Sequence, residues 1–107
     1  MVCCGLYTSA CVHIGDLPAP APDQREAART NTQLGLDYLA QGQFTLAQEK
    51  FERALHQNPQ LPETHIGLGW LFTQKREYTQ AQSYFENALN LDKRHPETLN
   101  LYGILLC

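Results

Sequence analysis

The chain is predicted to be all-α, a solenoid of helix-turn-helix units with two full units and the first helix of a third. Three observations predict it. The sequence repeats every 34 residues at the positions that decide packing: Ala47 recurs as Ala81, Phe51 as Phe85, Ala54-Leu55 as Ala88-Leu89, and Gly35 as Gly69 and Gly103. Between these landmarks, apolar residues fall at the three- and four-residue spacings of a helix with one buried stripe. Helix punctuation recurs with the same period, since Pro62-Glu63-Thr64 returns as Pro96-Glu97-Thr98. Self-similarity at this period marks an array in which each helical hairpin buries its apolar face against its neighbour.

The elements follow in order. Residues 1–14 hold three of the four cysteines and no Lys, Arg, Asp or Glu, and residues 15–22 are proline-spaced, which favours extended backbone. Residues 1–22 are therefore set apart as a leader-like segment and linker, and residues 23–107 as the repeat domain. Its units cover about 28–61, 62–95 and, incompletely, 96–107. Asp23 is a plausible N-cap for a first helix over about Gln24–Gln41, which stops at Gly42, a residue suited to the left-handed helix end. A second helix spans about Phe44–Gln57 and ends at Asn58-Pro59, because the residue before proline is pushed out of the helical region. Pro62 suits the first turn of a third helix reaching about Lys75, where its missing N–H costs nothing. A fourth runs over Tyr78–Leu91, and Pro96 opens a fifth.

The recurring residue types explain why such helices pack. Gly35, Gly69 and Gly103 lack a Cβ, and Ala47, Ala54, Ala81 and Ala88 carry only a methyl group, so paired helices can approach closely there. Tyr38, Phe51, Phe72 and Phe85 then fill the space between, which assigns them to structure.

Composition excludes several classes of function. At 107 residues with 43% hydrophobic and 18% charged residues, the chain has room for one modest core. Its formal charge is −3 with scattered Lys and Arg, so no basic stripe offers itself to nucleic acid. No stretch approaches the roughly 18 apolar residues of a membrane-spanning helix, so any membrane link must be a lipid or a partner. His13 lies in the leader, His56 and His65 flank a turn, and His95 precedes a proline. None forms a His-x-x-x-His or His-Glu-x-x-His pair, and all four are expected at the surface. Cys3-Cys4 is too close for an ordinary metal pair and no Cys-x-x-Cys occurs, so no metal is expected. Neither a Gly-x-Ser-x-Gly elbow nor a phosphate-cradling loop is present, and no catalytic residue, cofactor or small-molecule substrate is assigned.

The run Leu34-Gly35, Tyr38, Gly42, Phe44, Ala47, Phe51, Ala54 and Pro59 resembles the tetratricopeptide repeat consensus. The second unit keeps Leu68-Gly69, Phe72, Tyr78, Ala81, Phe85 and Ala88, but has Arg76 for the turn glycine and Lys93 for the terminal proline. The resemblance covers residues 28–107 and implies a protein-binding scaffold. In such arrays the first helix of each unit lines a concave face, and the helical period places Thr32, Leu36 and Leu39 there, followed by Ile66, Trp70 and Thr73, then Asn100 and Ile104. Trp70 at its centre either anchors an apolar segment of a partner or simply packs. Co-chaperone members of the superfamily hold acidic tails with a Lys, Asn and Arg clamp. The matching positions here are Thr32, Leu36, Gly67, Glu97 and Leu101, so that clamp is absent.

A narrower resemblance joins the two ends. Thr8-Ser9-Ala10-Cys11, the proline-rich spacer, Thr32-Gln33-Leu34-Gly35 and the closing Asn100-Leu101-Tyr102-Gly103-Ile104-Leu105-Leu106-Cys107 look like the type IV pilus biogenesis and stability lipoproteins. That resemblance implies an outer-membrane lipoprotein facing the periplasm, anchored through lipid on Cys11, that helps the pilus secretin assemble. The lipobox has Thr8 where Leu is usual and no basic residue precedes Arg25, so a Cys-rich tail of a protein soluble in periplasm or cytoplasm is the alternative. In the resembled family a cysteine at the place of Cys107 can pair with one in a later repeat; a buried thiol is the other reading. A third unit that stops at Cys107 leaves Leu99, Tyr102 and Leu106 without a covering helix, so a longer array or a partner is expected to complete it.

Overall fold

The computed structural model describes residues 18–92, which form four helices: α1 (Pro22–Ala40), α2 (Phe44–Gln57), α3 (Pro62–Gln74) and α4 (Tyr78–Leu91). Among the described residues there is no strand. α1 and α2 form one antiparallel hairpin, α3 and α4 a second, and α3 also touches both helices of the first. The predicted fifth helix, with Gly103 and Cys107, lies outside the described residues, as do Cys3, Cys4 and Cys11.

The hairpin turns show that the period is geometric as well as chemical. At the end of α1, Gly42 takes φ 76°, while Gly42 N–H bonds Leu39 O at 3.0 Å and Gln43 N–H bonds Tyr38 O at 2.9 Å. At the end of α3, Arg76 takes φ 64°, with Arg76 N–H on Thr73 O at 3.0 Å and Glu77 N–H on Phe72 O at 2.9 Å. Both are Schellman ends, in which a left-handed residue lets two amides satisfy carbonyls the helix would leave bare. The second is built on arginine, which pays the steric cost that glycine avoids. α2 and α4 also end alike, with Asn58 at φ −153°, ψ 94° and Asp92 at φ −148°, ψ 95°.

One boundary differs from expectation. α1 begins at Pro22 with Ala21 as its N-cap, so Asp23 stands in the first turn, where its charge complements the helix dipole, and is not the cap. The last proline of the spacer thus starts the helix; its fixed φ and missing N–H fit the first helical position as they do at Pro62.

The core repeats with the chain. Ala47, Ala54, Ala81 and Ala88 are fully buried, and Phe51 and Phe85 are its largest side chains. A Cβ built on Gly35 would stand 2.6 Å from Phe51 Cε1, and one on Gly67 would stand 2.5 Å from the same atom. One ring edge therefore rests against glycines from two helices, Gly35 of α1 and Gly67 of α3. Phe85 meets Gly69 in the same manner. Gly67 has no glycine 34 residues away, where Gln33 and Leu101 stand, so the period alone did not point to it. Tyr38 is half-buried beside this core.

Candidate protein-interaction site

α3 is enclosed far more than an amphipathic helix on a surface would be. Every residue from Thr64 to Gly69 is buried, because α1, α2 and α4 all pack against it. The concave-face assignment is corrected accordingly: Thr32, Leu39 and Ile66 are buried and serve packing. Leu36 and Thr73 are half-buried, and Thr73 returns its hydroxyl to Gly69 O at 2.7 Å. Trp70, at 39% exposure, is the predicted groove residue left most open among those described; Asn100 and Ile104 lie outside them.

Polar bonds fix the two first helices side by side. Thr32 Oγ1 donates its single proton to Ala28 O at 2.8 Å, so in its 2.6 Å contact with Thr64 Oγ1 the Thr64 hydroxyl is the donor. This buried pair ties α1 to α3. Asn31 Nδ2 donates to Gln57 Oε1 at 2.8 Å, tying α1 to α2. Buried polar groups paired in this way specify one arrangement of helices, since any slip would orphan them.

Above Thr32 lies a cleft of about 610 Å³ between α1 and the start of α3. Arg25, Arg29, Gln33 and Leu36 line it from α1, and Gln60, Leu61 and Glu63 from the facing side. Arg25 is steadied by a 3.0 Å bond from its guanidinium to Pro20 O. The stripe Arg25, Arg29, Gln33 was not singled out from the sequence, although its four-residue spacing on one helix was a usable signal. The wall thus combines the apolar Leu36 and Leu61 with cationic, amide and carboxylate groups, a mixture suited to a polypeptide segment.

Histidine placement requires a second correction. His56 is exposed as expected, but His65 is 1% exposed, with Nε2 at 2.8 Å from Pro59 O. Burial pushes its pKa below the ordinary histidine value, and the bond to Pro59 pulls it partly back. Its ring lies 6.2 Å from that of Tyr84, which stacks on Phe72 at 5.6 Å and 7°. Burial, assisted by the negative charge of Glu52, raises the Tyr84 phenol above its usual value and keeps it neutral. Lys75 Nζ caps the stack 5.0 Å from the Phe72 ring centre. Among the described residues, no three His, Cys, Asp or Glu side chains converge to hold a metal, and no helix is long and apolar enough to cross a membrane.

Two helical hairpins stacked in series, with a cleft between their first helices, define a repeat scaffold of the protein-binding class. The chain belongs to the tetratricopeptide repeat family, whose model matches residues 32–97. Among solved structures it is similar to pilF of Pseudomonas aeruginosa, with a TM-score of 0.75 and 32% identity over 78% of this chain. The match spans 38% of that chain, so the present one covers well under half of its length. No curated protein matches.

Proposed function

We propose that this chain is a non-enzymatic interaction scaffold of type IV pilus biogenesis: an outer-membrane lipoprotein, facing the periplasm, that holds the pilus secretin during its assembly. The observation that carries the reading is the likeness to pilF, which at 32% identity and a TM-score of 0.75 is a likeness of sequence as well as of fold. The resemblance of both chain ends to the pilus lipoproteins supports the same reading, although Cys11 and the Asn100–Cys107 stretch lie outside the described residues. On this reading the cleft beside Arg29 and Leu36 and the exposed face of Trp70 receive the partner.

The test is fractionation of the full-length protein with and without Cys11→Ala, together with a blot for secretin multimers in cells lacking the gene. The reading expects membrane association that disappears with Cys11→Ala and a loss of multimers in the deletion strain. If both versions stay in the aqueous fraction and multimers persist, the chain is an adaptor for a different partner.

A further inference from the structure

His65 is buried at the seam between the hairpins, and its hydrogen bonds are incomplete. Pro59 O can only accept, so in the neutral ring the proton sits on Nε2 and Nδ1 carries a bare lone pair. Among the described residues, His65 Nδ1 is the buried side-chain polar atom with no partner. The ring joins two parts of the fold: Nε2 holds the turn between α2 and α3, while its face meets Tyr84 of α4.

The equivalent position of the preceding repeat carries a group that does not titrate. Thirty-four residues earlier stands Asn31, whose amide bridges to Gln57 and holds no exchangeable charge. The first hairpin uses an amide and the second an imidazole at the same position.

We propose that His65 makes the seam between the two hairpins acid-sensitive: a proton taken up at Nδ1 places an unpaired N–H and a positive charge in the interior, and the second hairpin loosens from the first. The groups facing it offer no compensation. Tyr84 on α4 is neutral, Glu52 on α2 acts on the Tyr84 phenol, and the α2–α3 turn contributes the Pro59 carbonyl already bonded to Nε2. Among the described residues no carboxylate of α1, α2 or α4 adds to the balance of burial against the Pro59 bond. Because the folded form binds this proton less readily than the unfolded form, whose histidine titrates near 6.5, stability is complete above that value. It falls as pH drops through it, down to the lower value of the folded state. Over that window the opening constant of the seam rises by up to about tenfold per pH unit.

The experiment measures amide exchange of α3 and α4 in the full chain at about pH 7.5, 6.5 and 5.5, corrected for intrinsic exchange, for the unaltered protein, His65→Asn and His56→Asn. Opening is expected to rise by no more than about twofold from pH 7.5 to 6.5 and severalfold further by 5.5 in the unaltered protein and in His56→Asn. His65→Asn, which borrows the residue of the first hairpin, should be flat throughout. An equal rise in His65→Asn overturns the proposal. Should that variant fail to fold, the imidazole signals of the unaltered chain decide: protonation of folded His65 at or above 6.5 overturns it, and a folded imidazole still neutral below 6.5 upholds it.

Discussion

Phe51 shows how much of this fold rests on single atoms. Its ring edge meets Gly35 and Gly67 together, so a methyl group added at either position pushes on the same ring and cannot be absorbed by tilting toward the other helix. Helix propensity alone favours Gly→Ala by about 0.5–1 kcal/mol, whereas overpacking a filled core costs about 1–3 kcal/mol. Packing wins on these magnitudes, so Gly35→Ala and Gly67→Ala should each lower stability in urea unfolding. A gain in either would show that the ring is free to move. Phe51→Ala removes the ring itself and should cost about 3–5 kcal/mol. In the Phe51→Ala background the added methyls should become harmless, because the atoms they strike are gone. The role of Gly35 was legible because it recurs at Gly69. Gly67 was not, since its contact joins two repeats and its counterparts are not glycines.

At the scale of the element, the helices were legible where punctuation is chemical. Asn58-Pro59, Pro62 and Gly42 each dictate backbone, and the bounds of α2 and α4 agree with expectation. What failed was the inference from periodicity to exposure. That inference treats a helix as having one buried stripe, but α3 is enclosed by three neighbours, so Ile66 and His65 were assigned to surfaces that do not exist. The turns carry a prediction of their own. Gly42 has open space around a built Cβ, so its role is purely its φ of 76°, and Gly42→Ala should destabilise by about 1 kcal/mol. Arg76 occupies the equivalent place at φ 64° with an exposed side chain. Arg76→Gly relieves a left-handed penalty of about 1–2 kcal/mol and adds about 0.5–1 kcal/mol of chain entropy cost, for a net gain of about 0.5–1 kcal/mol. The neighbouring Lys75–Glu77 pair, 3.4 Å apart and largely exposed, is too weak to mask that gain. A thermal melt in which Arg76→Gly is less stable than the parent would mean that the guanidinium makes a contact stronger than the strain it imposes.

For the molecule as a whole, the question is whether the face between the first helices binds or merely packs. The hairpins are joined by the Thr32–Thr64 bond and by the Phe51 ring they share. Whereas Phe51 and Phe85 are covered, Trp70 is one of several large hydrophobic side chains left exposed, with Leu34, Leu46 and Tyr78. At 39% exposure it contributes only part of the about 3–5 kcal/mol that a fully buried aromatic supplies, so Trp70→Ala should cost about 1–2 kcal/mol and leave the chain folded. A Trp at the centre of an interface, by contrast, can carry 2 kcal/mol or more of binding, roughly thirtyfold in affinity. The two readings therefore separate on paired measurements of one variant, a thermal midpoint and retention of the proposed secretin partner by the immobilised protein. Binding lost while the midpoint falls only a few degrees assigns Trp70 to the partner. A collapse of the midpoint assigns it to the core, and the binding face would then be sought along Arg25, Arg29 and Gln33 of the neighbouring cleft.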